Sequence, residues 1–176
     1  PDHPAPRRFA ATLAELSGEP DTAILWGVDG CTLPAAALPV RAVARALARL
    51  AGASDPSPVR RAAMARITAA MATHPELVSG TGHATVTAVR ATAGRVVVKG
   101  GAEGFLAAML PAAGLGIAIK IVDGNGRGAF PMLVELLDRL GRLEPDERTA
   151  LEPVRRPPVT DSRGREVGAL VPRLDL

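Results

Sequence analysis

The sequence predicts an α+β fold, an antiparallel sheet with flanking helices. Three observations carry this. Apolar residues recur every three or four positions through the first half and again near residue 135, the period of an amphipathic helix. Between about residues 95 and 122, three runs rich in Val, Leu and Ile follow one another, separated only by glycine or proline turns. Connections that short can only reverse the chain, so neighbouring runs pair antiparallel.

Taken in order, Phe9, Leu13 and Leu16 share one helical face, and Gly18 stops a helix running from about Ala5 to Ser17. The apolar run Thr22 to Val28, bounded by Pro20-Asp21 and Asp29-Gly30, predicts a strand. Val40 to Leu50 is a second, alanine-rich helix closed by Gly52. Ser57-Pro58 opens a third, with Ser as N-cap and Pro in the first turn. Its expected buried face is Val59, Ala63, Ile67, Ala70 and Met71, and His74-Pro75 ends it, because the residue before a proline resists helical geometry.

Ser79-Gly80-Thr81-Gly82 is a polar loop before a short helix from about Ala84 to Ala91. Strands follow near 95–99, 104–110 and 115–122, the last alternating Ile117, Ile119 and Ile121 against Ala118, Lys120 and Val122. Phe130, Leu133, Leu136, Leu137 and Leu140 form the stripe of a helix from about Ala129 to Leu140, closed by Gly141. Pro153 to Pro158 is expected to be an irregular connector, Asp161 to Gly164 a turn, and Glu166 to Val171 a last strand that could join the meander.

At 176 residues the chain suffices for one domain with its own core, or for part of a larger one. Hydrophobic residues make up 47% but aromatics only 2%, so the core must be built from Ala, Val, Leu and Ile. A net charge of +3 and a pI near 10.0 raise the question of nucleic acid. The arginines are scattered, however, and Phe9, Trp26, Phe105 and Phe130 are too dispersed for a base-stacking platform, so no nucleic-acid partner is expected. The single Cys31 excludes an internal disulfide and fits a reducing, cytoplasmic compartment. No apolar run approaches the roughly 20 residues of a membrane helix, so no membrane partner is expected.

Chemistry concentrates at Arg95 to Gly104, RVVVKGGAEG. Lys99 is one of two lysines against nineteen arginines, at the end of a β-branched run. Arginine does not release its proton at ordinary pH, whereas a lysine covered by low-dielectric surface can, which makes Lys99 the candidate for proton transfer. Gly100 and Gly101 would let a ligand approach the backbone, and Glu103 could pair with a nearby cation or lie on the surface. Cys31 follows Asp29 and Gly30 at a strand end, where it is either a small buried hydrophobe or one ligand of a metal whose other ligands lie elsewhere. His83, in a loop after Gly82, is the one histidine placed for function, and Asp123-Gly124-Asn125-Gly126 reads as a plain turn. A strand ending in Lys-Gly-Gly is like the Lys-Thr-Gly strand of β-lactamases, but the Ser-x-x-Lys nucleophile is absent, because positions 96 and 117 are Val and Ile.

Several segments together resemble the type II L-asparaginase family, zinc-binding enzymes with a serine-β-lactamase-like fold. These are His74 to Gly82 (HPELVSGTG), RVVVKGGAEG, Gly114 to Gly124 (GLGIAIKIVDG), the helix end LLDRLG, the opening Asp2-His3-Pro4, Leu16 to Pro20, Gly27 to Pro34 and the closing Thr160 to Leu170. The resemblance implies hydrolysis of L-asparagine to L-aspartate and ammonia, with Lys99 as the lysine of the second Ser/Lys pair. It implies Cys31 as one zinc ligand, with the remaining ligands outside this chain, and Asp29 as the neighbouring acid of the metal and substrate region. Substrate contacts are expected from Asp29, Gly100, Gly101, Glu103 and His83. The resemblance also implies that residues 1–176 are the C-terminal portion of the domain, the Ser-x-x-Lys nucleophile lying in an N-terminal half. The chain departs from the family at His83-Ala84-Thr85-Val86, where Arg-Phe-Asp-Thr is usual, at Ala5-Pro6 and at Val122. A non-catalytic interaction module, exposing an apolar face and forming a homodimer or binding a partner, is the alternative.

Overall fold

A computed structural model describes residues 3–175; Asp2 of the opening motif lies outside the described residues. The element order is α1 (Pro4–Ser17), β1 (Leu25–Val28), β2 (Pro34–Ala37), α2 (Val40–Ala51), α3 (Pro58–Thr73), α4 (Pro75–Ser79), α5 (Ala84–Ala91), β3 (Val97–Gly100), β4 (Phe105–Leu110), β5 (Leu115–Lys120), α6 (Ala129–Arg139), α7 (Pro145–Arg155), β6 (Pro158–Thr160) and β7 (Glu166–Ala169). The class is α+β as expected, with β3, β4 and β5 forming one sheet in that order. The residues group into two compact units, Pro1–Arg66 with Met109–Ala118, and Ile67–Ala108 with Ile119–Leu176.

In the first unit α1 packs on α2. Gly18 ends α1 at φ 71°, with its N–H on the Ala14 carbonyl. Buried Ala42, Ala46 and Ala51 give α2 a thin face, and strand β5 comes unusually close to it. A Cβ at Gly116 would stand 2.3 Å from both the Ala44 carbonyl oxygen and the Ala48 nitrogen, so only glycine fits. Asp55 accepts from Ser57 N–H at 2.8 Å and from Arg60 at 2.9 Å, and Arg60 also reaches Glu15, so one guanidinium ties α1, the α2–α3 loop and the start of α3.

Two expectations fail here. Thr22 to Val28 is not one strand: Asp21–Ala23 is a 3-10 turn, and only Leu25–Val28 is extended, paired with β2 from Leu25↔Ala37 to Val28↔Pro34. Ile24 is buried, but every residue of β1 is exposed, because a two-stranded ribbon has no third layer of its own to cover it. The face assigned to α3 is also wrong. Met64 and Thr68 are buried, whereas Val59 and Ile67 are 78% and 52% exposed. A helix made mostly of alanine carries little apolar contrast around its circumference, so packing rather than pattern selects the buried side.

In the second unit β3 lies beneath α4 and α5, and α7 packs against α5 and α6. Val96, Val97, Val98, Leu106, Leu133, Leu137 and Leu151 form the core. Glu135 is buried among them, but it accepts from Arg139 at 2.6 Å and from Arg155 Nε at 2.9 Å. These arginines, Arg139 first, hold its carboxyl below the usual glutamate range against the opposing effect of burial. Half of the expected connector at Pro153 to Pro158 is helix, since α7 runs through Pro153 to Arg155, and Pro158 already begins β6. A capping box starts it, Glu144 and Glu147 each accepting from the other's end of the first turn. The last strand does not join the meander; β7 pairs antiparallel with β6 as a separate hairpin, Val159 opposite Gly168.

Candidate functional site

Three consecutive valines, each at most 1% exposed, anchor β3 and deliver Lys99 and Gly100 to its end. Beyond them Gly101 N–H donates to the Phe105 carbonyl at 2.9 Å and Phe105 N–H to the Ala102 carbonyl at 3.2 Å. The turn carries two left-handed residues, Glu103 at φ 57° and Gly104 at φ 67°. Lys120 closes it from β5, its ammonium donating to the Glu103 carbonyl and, at 3.0 Å, to the Ile121 carbonyl. Sequence reasoning missed this role of Lys120, because residues 103 and 120 are brought together by strand pairing alone.

A cleft of about 420 Å3 opens beside this turn, lined by Gly82, His83, Gly100, Gly101, Gly126 and Phe130, among others. His83 caps α5: its Nδ1 accepts from the Thr85 N–H at 3.1 Å. In the neutral ring the proton therefore sits on Nε2, leaving a donor for a ligand. The imidazole meets Phe130 edge-on, with centroids 5.7 Å apart and planes at 70°, which limits its rotation. Before the loop, Glu76 of α4 accepts from Arg90 of α5 at 2.9 to 3.1 Å, so one ion pair brackets residues 79–83. The Glu76 carboxyl is held below the usual glutamate range by its own backbone N–H and by Arg90.

Of the residues predicted from sequence, Gly100, Gly101 and His83 come together on this cleft. Lys99 adjoins it through Gly100, but the expected burial of its amine is not found: the side chain is exposed and donates to the Gly100 carbonyl. Val97, on the same face of β3, is buried, so the exposure of Lys99 marks where the strand runs out of the core rather than a change of face. Glu103 does not line the cleft; its carboxylate folds over Gly124, 2.7 Å from where a Cβ of that residue would stand.

Asp29 and Cys31 belong to the first unit, in the turn between β1 and β2. One carboxylate oxygen of Asp29 accepts from Cys31 N–H at 2.8 Å and from Leu33 N–H at 3.0 Å, which shapes the turn and places Thr32 at φ 61°. Cys31 is exposed rather than a buried hydrophobe. Among the described residues no group of three or more His, Cys, Asp or Glu is placed to hold a metal, so these side chains by themselves do not fit a zinc centre.

The end of β3 and the glycines after it thus lie on a small cleft of mainly apolar lining, with the His83 imidazole as its polar side chain. A family model for L-asparaginase II matches residues 1–172, and the chain belongs to that family. No curated protein matches it significantly. Membership brings with it an asparaginase-like amidohydrolase activity on a small amide. None of the helices among the described residues is long and apolar enough to cross a membrane.

Proposed function

We propose that this chain supplies the Lys99 wall of an amidohydrolase that converts L-asparagine to L-aspartate and ammonia, within a serine-β-lactamase-like domain of the cytoplasm. The observation that carries it is the Lys99-Gly100-Gly101 strand end, set on a cleft in a chain of the L-asparaginase II family. With no Ser-x-x-Lys among residues 1–176, the nucleophilic hydroxyl comes from an N-terminal half. That hydroxyl adds to the amide carbon while the Lys99 amine accepts its proton. The C–N bond then breaks, the proton leaves with ammonia, and water cleaves the resulting ester to release L-aspartate. His83 Nε2–H and the glycine backbone orient the substrate.

An amine that accepts a proton must be neutral at that moment, a form favoured by low-dielectric surroundings. Lys99 is exposed in this chain, so the covering surface comes from the partner half. Zinc carries no step in this mechanism; Cys31 would contribute one thiolate, with the remaining ligands supplied from outside the chain.

The test is ammonia release from L-asparagine by this chain combined with the N-terminal half. Lys99→Met should reduce turnover by at least about a thousandfold with the fold intact. Retained turnover in a folded Lys99→Met protein refutes the assignment. A second reading, a non-catalytic interaction module, draws on exposed Leu25, Val28, Val59 and Ile67. It predicts that the combined halves associate yet release no ammonia.

A further inference from the structure

The glycines around the cleft fall into two groups. Gly104 lies at φ 67°, and a Cβ there would stand 2.9 Å from the Ile121 Cβ and 3.1 Å from the Gly124 carbonyl carbon. At Gly101 a Cβ would stand 2.8 Å from the Phe105 ring. The fold requires glycine at Gly104, and at Gly101 the Phe105 ring would have to move to admit a side chain. Gly100 and Gly126 differ: neither has a left-handed φ, and a Cβ on either would meet no atom within 4 Å.

Neither a left-handed φ nor a close neighbour therefore accounts for glycine at these two positions; Gly27, Gly30 and Gly168 share this, but only Gly100 and Gly126 of the five line the cleft. Gly100 sits in a strand, where glycine costs backbone entropy and leaves no side chain to pack. Gly126 opens a 3-10 turn whose shape is set by its neighbours. Asn125 N–H donates to the Asp123 carboxylate at 2.9 Å, and Arg127 N–H to the Asn125 side-chain oxygen at 3.0 Å. Both glycines lie on the wall of the same cleft, so what they have in common is the room left by an absent side chain.

We propose that Gly126, together with Gly100, is a specificity-determining residue: the carbon skeleton of the substrate occupies the space over their Cα atoms, and this admits a small amino-acid amide. The inference rests on the amidohydrolase reading and deepens it.

Titration of the 15N-labelled 176-residue chain with L-asparagine, followed by amide shifts, tests it. Gly126→Ala should weaken binding by at least about fivefold, the cost of forcing a methyl into filled space. Gly100→Ala should do the same and stands in if the first variant fails to fold. Gly168→Ala, also with no atom within 4 Å but off the cleft, should bind like the unsubstituted chain. Thermal unfolding of all three should match or slightly exceed that of the unsubstituted chain. Binding by folded Gly126→Ala and Gly100→Ala equal to the unsubstituted chain overturns this inference alone. No shift from millimolar L-asparagine in the unsubstituted chain likewise overturns this inference alone, whereas the amidohydrolase reading falls only if the combined halves release no ammonia.

Discussion

Gly116→Ala adds one methyl where β5 crosses α2, and the geometry fixes the outcome. The new Cβ would stand 2.3 Å from the Ala44 oxygen, 2.3 Å from the Ala48 nitrogen and 2.7 Å from the Leu47 carbonyl carbon. All three are backbone atoms of one helix, so no rotamer change relieves the clash. Ordinary contact begins near 3.5 Å, and strand and helix would have to separate by about 1 Å or more. Ala42 and Ala46 are buried on this helix, and a close-packed interior transmits such a shift to neighbouring contacts. Overpacking usually costs about 1–3 kcal/mol, and a clash confined to backbone belongs at or beyond the upper end. Urea denaturation followed by far-UV circular dichroism measures it. Gly27→Ala, in the same unit with no atom within 4 Å of its Cβ, is the control and should stay within about 0.5 kcal/mol. Gly116→Ala within that same range would refute the close approach of β5 to α2.

Glu135 and its two arginines make a pH-dependent element. A carboxyl whose folded pKa lies below its ordinary value stabilises the fold above the ordinary range and loses that contribution as pH falls through the folded value. Glu135→Gln should cost about 1–3 kcal/mol at neutral pH, with the difference from the unsubstituted chain shrinking below about pH 4; a pH-independent difference in urea titrations would contradict the charged pairing. The Thr85 hydroxyl is fully buried without a hydrogen-bond partner, so Thr85→Val should be neutral or stabilising by about 1 kcal/mol. A loss above about 1 kcal/mol in thermal unfolding would mean that the hydroxyl is satisfied by an ordered water.

Where local signals agree, the sequence was enough. Gly18 and Ser57-Pro58 mark helix ends by their own stereochemistry, and short turns between β3, β4 and β5 leave no topology but a meander. It failed where a residue type argued against its position. Glu144 is an unusual N-cap and Pro153 reads as a breaker, yet the capping box and the proline near the C-terminal end let α7 form. Glu166 to Val171 looked like any other strand run, and only the nearer partner at Pro158–Thr160 decided its pairing. At the site, Gly100, Gly101 and His83 were legible as a Lys-Gly-Gly strand end and a glycine loop. Phe130 and Gly126 were not, since no spacing rule links residue 83 to residue 130.

The two lysines show why residue type alone could not settle the chemistry. Both belong to the sheet that builds the β3–β4 turn, in a chain that elsewhere uses arginine. Lys120 has a structural reason: a compact ammonium can donate to the Glu103 and Ile121 carbonyls at once, which a planar guanidinium fork is ill-shaped to do. Lys99 has no such reason. Among the described residues its ammonium donates to the carbonyl of the next residue, a contact open to any exposed lysine at a strand end and of little value to the fold. Arginine would serve equally well there unless the amine must lose its charge or fit a narrow space. Position 99 is therefore where folding does not explain the choice of lysine, and it adjoins Gly100, which lines the cleft without a left-handed φ or a close neighbour to require glycine.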